Sequence, residues 1–425
     1  MTRLLIGVDA GKQLHHAAAY DPGSDRVVGR LKFAVSREGF QQFRAFLARL
    51  TSDPKTMVLG LEASGHYHLT LIAFLAEQGY SVVLLNPFRA AQFRQSQGRT
   101  AKTDRIDAES LARFLATQAL LPLSPLNEHL ATLRDLTRFR AEQVRERTAT
   151  INRLHAAVDL AFPELLQVLG RLTSRSVLAL LAAYPTAALV AEADPAPLIV
   201  LLQRTSQGHV RADRVAALQT TARDSIAVRS GTSGLALQVR LLVQQVVSLE
   251  RQIEEVEEAI AQTFRVLGYH TQDFPAGSVV ALATLVAEIG DIQRFASVKK
   301  FLAHFGWCPG DKQSGKSRSV HPQLSKAGNR YVRRIIWMLA VGAVRYPGPY
   351  QDYFLQRTAA GKNKMDSLVA VGRKLLTTMY AILKTGHPYD PGYAAKRDFL
   401  AGRGQKAEPS KEASPLGARA VIQAP

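Results

Sequence analysis

The chain has 425 residues, of which 54 are Lys or Arg and 35 are Asp or Glu, so its formal net charge is +19. A positive surplus of this size favours nucleic acid or another anionic surface as the partner. The single cysteine, Cys308, excludes an internal disulfide and a zinc cluster built on thiolates, and no apolar run reaches the roughly 18 residues of a membrane span. We therefore expect a cytoplasmic protein with no membrane partner.

Short apolar runs dominate the first hundred residues. They predict strands over Leu4–Val8, His16–Tyr20, Val27–Val35, Met57–Leu61 and Ser81–Leu85. Amphipathic stretches predict a helix capped by Ser36 and a second helix over Leu69–Gln78. The predicted order is three strands, a helix, a strand, a helix, a strand and further helices. This order is typical of the ribonuclease H fold, a mixed sheet with helices on its faces.

A third helix is predicted over Arg99–Phe114, with Thr103 as its N-cap. Asp104 and Asp107 lie three residues apart in it and therefore share one face of the helix. An isolated pair of this kind is typical of an acidic first turn stabilised by the helix dipole, and neighbouring cations could neutralise it. Two acidic residues earlier in the chain, Asp9 and Glu62, favour a metal site instead.

Asp9 directly follows the first predicted strand, and Glu62 directly follows the fourth. Together with Asp104 and Asp107 they would bring four carboxylates to one edge of the sheet. Such a cluster is costly without a cation, and hard oxygen ligands suit Mg²⁺ or Mn²⁺. Two such ions can polarise a phosphodiester and stabilise the attacking and leaving oxygens.

The middle of the chain is predicted to be helical. A long helix over Leu126–Val158 is followed by a small helical subdomain around Leu178–Leu202, which three prolines interrupt. A heptad of apolar residues then predicts a coiled-coil seam that pairs with Leu126–Val158, with another protomer or with both. An ordinary core helix fits the pattern equally well. The heptad consists of Leu235, Val239, Leu242, Val246, Leu249, Ile253, Val256 and Ile260.

Positive charge concentrates between Gln293 and Arg345, where eleven Lys and Arg residues face one acid, Asp311. Interleaved aromatic residues and this charge density predict a phosphate-binding face. Just before it, Phe274–Phe305 predicts two short helices joined by a glycine turn that could present amides to a phosphate.

Ser314 lies in this basic segment, next to Gly315 and Lys316. A serine in such surroundings can be a nucleophile, provided that a base, metal or cation activates it, or can simply contact phosphate. Ser317, Ser319 and Ser325 compete for either role, and the residues alone favour a phosphate contact. Beyond Lys406 the polar composition predicts disorder.

The chain resembles the DEDD transposases of bacterial insertion sequences, the IS-one-ten family. One local departure is the turn Pro275–Ser278, which reads Pro-Ala-Gly-Ser where the family usually has Pro-Gly-Ile-Gly. The matching stretches are Ile6–Asp9, Leu61–Gly65, Val83–Pro87, Lys102–Ala108, Glu288–Phe295, Ser314–Gly315 and Ser325–Arg330.

The resemblance implies an α/β plus α protein. Residues 1–120 would form a RuvC-like ribonuclease H domain, residues 121–265 a helical coiled-coil region, residues 266–390 a mostly helical transposase domain with the nucleophilic serine, and residues 391–425 a basic tail. It further implies that Asp9, Glu62, Asp104 and Asp107 bind Mg²⁺ (or Mn²⁺) and that Ser314 attacks the DNA phosphodiester.

The family's partners are implied in the same way. They are donor and target DNA and a structured guide RNA, the bridge RNA, with strand exchange through a Holliday-junction-like intermediate. The protein would form a homo-oligomer, a dimer that becomes a tetramer in the synaptic complex. Its active site would combine the acids of one protomer with the serine of another. The active protein would associate with the nucleoid. The expected nucleic-acid contacts are Lys102, Arg105, Lys312, Lys316, Arg318, Lys326, Asn329, Arg330, Arg333 and Arg334.

Two other functions fit parts of the sequence. A hydrolytic Holliday-junction resolvase or nuclease of the RuvC-like fold would use the acids and a metal-activated water without the serine. An architectural nucleic-acid-binding protein would use the acids only in salt bridges.

Overall fold

The computed structural model describes residues 3–62, 66–97, 104–117, 128–307, 313–314, 317–318 and 328–391, with the backbone alone for 104, 105, 313, 314, 317 and 318. The described chain divides into two compact units. Unit 1 comprises Met1–Glu128 and Ile289–Arg333, and unit 2 comprises His129–Glu288 and Arg334–Pro425. No helix in the described ranges is long and apolar enough to cross a bilayer.

A five-stranded mixed sheet forms the centre of unit 1, in the order β3-β2-β1-β4-β5. The first three strands pair antiparallel, whereas β1 pairs parallel with β4 and β4 with β5. The five strands predicted from sequence are confirmed, with ends that differ by a few residues. The strands are β1 Leu4–Ala10, β2 Leu14–Asp21, β3 Arg26–Ala34, β4 Met57–Glu62 and β5 Ser81–Leu85.

Helices cover both faces of this sheet. One face packs Ile6 and Val8 of β1 against Phe43 and Leu71, which belong to the first two helices. The opposite face carries the next two helices, and one of them was not predicted from the sequence. The helices are α1 Arg37–Leu50, α2 Leu69–Glu77, α3 Pro87–Ser96 and α4 Asp104–Ala116.

Helix α1 begins where the sequence predicts, because the Ser36 hydroxyl accepts a hydrogen bond from the Gly39 amide. Helix α3 was not predicted, because an Asn-Pro pair directly after a strand is also typical of the turn that ends it. In the structure Asn86 is an N-cap that accepts from two amides, and Pro87 is the first helical residue.

The second part of unit 1 is short. It contains α13 Val298–His304 and the small antiparallel hairpin of β6 Gln313–Ser314 and β7 Ser317–Arg318. Four aromatic side chains of this segment, Phe295, Phe301, Phe305 and Trp307, are almost completely buried. These rings therefore form a core and are not available to stack on nucleic-acid bases.

Unit 2 is helical. Three of its helices begin or end in unit 1, α5 and α12 by one residue each and α14 by four. The helices are α5 Glu128–Ala161, α6 Leu165–Leu169, α7 Arg175–Ala183, α8 Ala187–Glu192, α9 Pro195–Thr205, α10 Ala212–Arg223, α11 Thr232–Val266, α12 Val279–Ile289, α14 Arg330–Ala343, α15 Pro349–Ala359 and α16 Lys364–Thr385. The heptad residues lie on α11, and most of them are buried.

Helices α5 and α11 run antiparallel. Arg140 pairs with Glu257 at 2.6 Å and Arg147 lies 3.9 Å from Glu250, so the pairs step seven residues along the two helices in opposite directions. Apolar residues of α5, including Leu154, join the α11 seam in one core with α7 to α10. Of the arrangements that the sequence left open, pairing with the Leu126–Val158 helix is present within one chain, and the first half of the heptad also packs as part of an ordinary helical core.

The end of α12 is also fixed by α5. Arg138 donates two hydrogen bonds to the buried carboxylate of Glu288, and Arg134 donates two to the carbonyl of Ala287. Burial lowers the pKa of Arg134, and Glu288 opposes that shift. Glu288 thus stabilises unit 2. The turn predicted after this helix contains Gly290, whose φ of 63° lies in the left-handed region.

Candidate active site

Asp9 and Glu62 lie at the same end of two neighbouring strands. In the parallel pair β1–β4, Val8 is the register partner of Leu61, and the two acids are the next residue of each strand. Parallel neighbours in a sheet are about 4.8 Å apart. The sheet therefore places these two carboxylates side by side, as the sequence predicts.

Strand alternation also fixes the face on which they lie. On β1, Leu5 and Gly7 face the side that carries α3 and α4, and Asp9 continues the same alternation. On β4, Gly60 faces that side, and Glu62 continues it. Both acids consequently point toward the layer formed by α3 and α4.

Helix α4 approaches this face very closely, because glycine occupies the positions beneath it. A Cβ atom on Gly7 would stand 2.2 Å from the carbonyl oxygen of Ala108 and 2.3 Å from the amide nitrogen of Ala112. A Cβ atom on Gly60 would meet Leu115 at 2.6 Å. The helix that carries Asp104 and Asp107 therefore rests on the backbone of the sheet.

Asp107 is linked to Glu62 through an arginine that the sequence patterns did not indicate. Nη1 of Arg94, on α3, lies 2.7 Å from Oδ1 of Asp107, and Nη2 lies 3.9 Å from Oε2 of Glu62. Asp107 is only 8% exposed, and its Oδ1 accepts no hydrogen bond. The N–H groups of Arg94 are thus not directed at that oxygen, and the contact is an ion pair.

Two further ion pairs fasten α4 to the β2–β3 hairpin. Glu109 pairs with Arg30 at 2.6 Å, and Arg113 pairs with Asp25 while its guanidinium lies over the ring of Tyr20. The hydrogen bonds from Arg113 and Tyr20 lower the pKa of Asp25. These contacts fix the position of α4 along the sheet, and with it the position of its acids.

The donor set fits a hard divalent cation. Asp9, Glu62 and Asp107 offer carboxylate oxygens, and the buried Oδ1 of Asp107 has no hydrogen bond to lose. Among the described side chains no three His, Cys, Asp or Glu groups converge closely enough to hold an ion. The side chain of Asp104 lies outside the described residues, and the Arg94 guanidinium occupies the space between Glu62 and Asp107.

The predicted nucleophile lies in unit 1 together with these acids. The backbone of Ser314 pairs with that of Ser317 in the β6–β7 hairpin. The side chains of Ser314, Arg105 and Arg318 lie outside the described part of the chain, as do Lys102, Lys312, Lys316 and Lys326 as whole residues. Their roles stay predictions.

The Gly-Asn pair at the end of the Ser325–Arg330 motif has a structural explanation. A Cβ atom on Gly328 would stand 2.0 Å from the carbonyl carbon of Phe305, so only glycine fits this approach. The Asn329 side chain caps α14 by accepting from the amides of Tyr331 and Val332. Arg333 donates a hydrogen bond to the carbonyl of Gly328.

Of the predicted nucleic-acid contacts, Arg330 and Arg334 have exposed side chains. Arg330 lies over the ring of Tyr331 and donates to its hydroxyl. Both arginines are accessible to phosphate, whereas Asn329 and Arg333 already serve the turn before α14.

Two family models match the chain at its two ends. Residues 6–163 match the DEDD transposase model of the IS110 group, described as a transposase, and residues 272–355 match the model described as "Transposase IS116/IS110/IS902 family". The chain belongs to the IS110 family of transposases. It is accordingly a transposase or recombinase, an enzyme that cleaves DNA and transfers strands.

Full-length relatives agree with this assignment. The 44.8 kDa protein of insertion element IS116 from Streptomyces clavuligerus is 26% identical over 398 residues, which cover 92% of this chain and 96% of the relative. The pilin gene-inverting protein of Moraxella lacunata is 22% identical over 395 residues, covering 92% and 98%. The similarity to both proteins thus extends over nearly the whole transposase.

Proposed function

We propose that this transposase is an RNA-guided DNA recombinase with a RuvC-like ribonuclease H domain, a divalent-metal site at Asp9, Glu62, Asp104 and Asp107, and Ser314 as its nucleophile. The observation that carries the proposal is the in-register placement of Asp9 and Glu62 at the ends of β1 and β4, on the face where Arg94 links Glu62 to Asp107.

The sheet order supports the fold. A mixed five-stranded sheet whose first three strands are antiparallel, with helices on both faces, is the arrangement that the resemblance implies. Asp9 and Glu62 lie at the carboxyl ends of adjacent parallel strands, which is where sheets of this kind bind ligands. A bound Mg²⁺ or Mn²⁺ would supply positive charge to the phosphate under attack.

The serine accounts for rejoining of the DNA. Attack by the Ser314 hydroxyl forms a bond from Oγ to phosphorus and breaks the bond from phosphorus to the sugar oxygen. The serine loses its proton, and the released sugar hydroxyl gains one. The phosphodiester energy is kept in the serine–phosphate bond, so a second strand can be joined by the reverse step without ATP.

The name of one relative favours this mechanism over hydrolysis. One relative is a pilin gene-inverting protein by name, and inversion requires that every broken strand be rejoined. A hydrolytic nuclease would leave the ends open.

A covalent trap tests the proposal. The transposase is mixed with Mg²⁺, RNA transcribed from the flanks of its own element and end-labelled DNA that contains the element junction, then denatured and run on a gel. We expect label on the wild-type chain and on Ser317→Ala, the matched control from the same hairpin, and none on Ser314→Ala. Cleavage without protein-bound label would instead identify a hydrolytic nuclease.

Omission of the RNA from the same reaction tests the guide. Because pairing by RNA would supply sequence specificity while the basic surface holds the backbone, we expect no protein-bound label without RNA. Equal labelling without RNA would refute the guide role and leave the serine mechanism intact.

The oligomer is tested by complementation. Asp9→Ala and Ser314→Ala chains are mixed, so that a mixed dimer holds one complete site only if acids and serine come from different protomers. We expect the mixture to recover activity that neither variant has alone. Failure to recover would indicate that each chain supplies both parts of its own site.

A further inference from the structure

Arg94 is half-buried between two acids with which it forms ion pairs. Its side chain is 20% exposed, and those of Glu62 and Asp107 are 19% and 11% exposed. It extends from the last turn of α3 toward the face where β1 and β4 end. A guanidinium cannot lose its proton in a protein, so this positive charge is present at every working pH.

We propose that Arg94 is an internal counter-ion of the acid cluster that competes with the divalent metal ion for Asp107. In the metal-free protein the guanidinium holds Glu62 and Asp107 together, and an ion that binds Asp107 must overcome the repulsion of this charge. The inference rests on the proposed metal role of Asp9, Glu62 and Asp107.

Geometry makes the two cations compete at this oxygen. Mg²⁺ binds carboxylate oxygens at about 2.0–2.1 Å and demands a nearly octahedral shell. Nη1 of Arg94 lies 2.7 Å from the same Oδ1, so an ion bonded to that oxygen would stand within about 5 Å of a positively charged nitrogen, which would repel it. Because Asp107 is buried, solvent screens that repulsion only weakly.

The guanidinium also explains why the described acids do not form a ligand set in this structure. Two carboxylates joined through a planar guanidinium are held apart by its width, whereas an ion would draw both toward one centre. Removal of Arg94 would leave Glu62 and Asp107 facing each other without that charge. Metal binding would then relieve their repulsion with no competitor present.

The test measures metal binding directly and without nucleic acid. Full-length wild type, Arg94→Gln and Arg94→Met are titrated with Mn²⁺ by calorimetry, and free Mn²⁺ is followed by its electron paramagnetic resonance signal. Arg89→Gln is the matched control, because it removes the same charge from an exposed position on the same helix. Asp107→Asn tests whether the ion is bound at this site.

We expect Arg94→Gln and Arg94→Met to bind Mn²⁺ at least about tenfold more tightly than wild type, since a unit charge at this separation interacts strongly even in a partly solvated site. Arg89→Gln should stay within about twofold of wild type, because surface charges are screened. The metal-free Arg94 variants should melt at a lower temperature than wild type, and saturating Mn²⁺ should close that gap.

The outcomes separate this inference from the proposed function. Mn²⁺ binding that Asp107→Asn abolishes and that the Arg94 variants leave unchanged or weakened would overturn the inference and keep the metal site. Mn²⁺ binding that survives Asp107→Asn, or that is absent from wild type and Arg94 variants alike, would overturn both. If Arg94→Gln does not fold, Arg94→Met, which keeps most of the side chain's length and apolar stem, decides between these results.

Discussion

The contact between Gly7 and α4 gives the most direct test of how the acid site is built. In Gly7→Ala the new Cβ would stand 2.2 Å from the Ala108 carbonyl oxygen, whereas ordinary contacts begin at 3.4 Å. Helix α4 must therefore recede from β1 by about 1.2 Å, because both partners are backbone and neither can rotate away. Overpacking of this kind costs about 3 kcal/mol, the upper end of the usual range.

The same displacement carries Asp107 away from Asp9 and Glu62. A misplacement of about 1 Å can reduce catalysis by about 10²-fold, and we expect a loss of this size in a strand-exchange assay. Gly29→Ala is the control, because it makes the same change in β3 but meets side-chain atoms, the ring of Phe46 at 3.0 Å and a methyl group of Leu50 at 3.6 Å, instead of backbone. A Gly7→Ala protein with wild-type melting temperature and activity would refute the close packing of α4.

Other contacts lead to three further predictions. Arg138→Ala should lower the free energy of unfolding, measured in urea, by about 2 kcal/mol, because it leaves the buried Glu288 carboxylate without its ion-pair partner. The loss is not larger because the Arg138 side chain is partly solvated. A loss under about 0.5 kcal/mol, as expected of an exposed ion pair, would contradict the role of that carboxylate. Burial lowers the pKa of His15 below 6.5, and the charge of His16 adds to the shift. As the pH falls, the unfolded chain therefore takes up this proton at a higher pH than the folded chain does. The free energy of unfolding should then fall as the pH drops below about 6.5. His15→Leu should flatten this fall in melts between pH 7 and 5, and an unchanged slope would assign it to other groups. Gly342→Ala, in the last turn of α14 with open space around the new methyl group, should raise the free energy of unfolding by up to about 0.5 kcal/mol, less than in a helix interior, and a decrease would show that the position is crowded.

Much of the secondary structure can be predicted from short sequence patterns. The strands of unit 1 end at turn residues, Ser36 begins α1, and the heptad of α11 predicts its buried face, because each of these features depends on neighbours within one or two turns. Helix α3 was missed because Asn-Pro serves both as a strand terminator and as an N-cap with a first-turn proline. The Asn86 side chain decides between them, and its hydrogen bonds exist only in the folded chain.

The candidate site was predictable in part. Asp9 and Glu62 could be placed because parallel strands bring their ends together, and Asp107 because it shares a helical face with Asp104. Arg94 could not be placed, since an arginine in a short, weakly amphipathic segment gives no sign that it faces carboxylates from two other elements. In the basic segment the sequence pattern was misleading. Its aromatic residues suggest stacking on nucleic-acid bases, yet Phe295 and Trp307 are buried in the core.

The bare glycine surface of β1 and β4 also has a consequence for biosynthesis. Every strand of the sheet precedes α4 in the chain, and domains emerge from the ribosome N-terminal end first. The sheet with Asp9 and Glu62 can therefore form while Asp104 and Asp107 are still unsynthesised, with Gly7 and Gly60 uncovered. The nascent chain cannot bring the four acids together until α4 has emerged and docked, so metal binding at the proposed site would have to wait until residue 116 has left the ribosome.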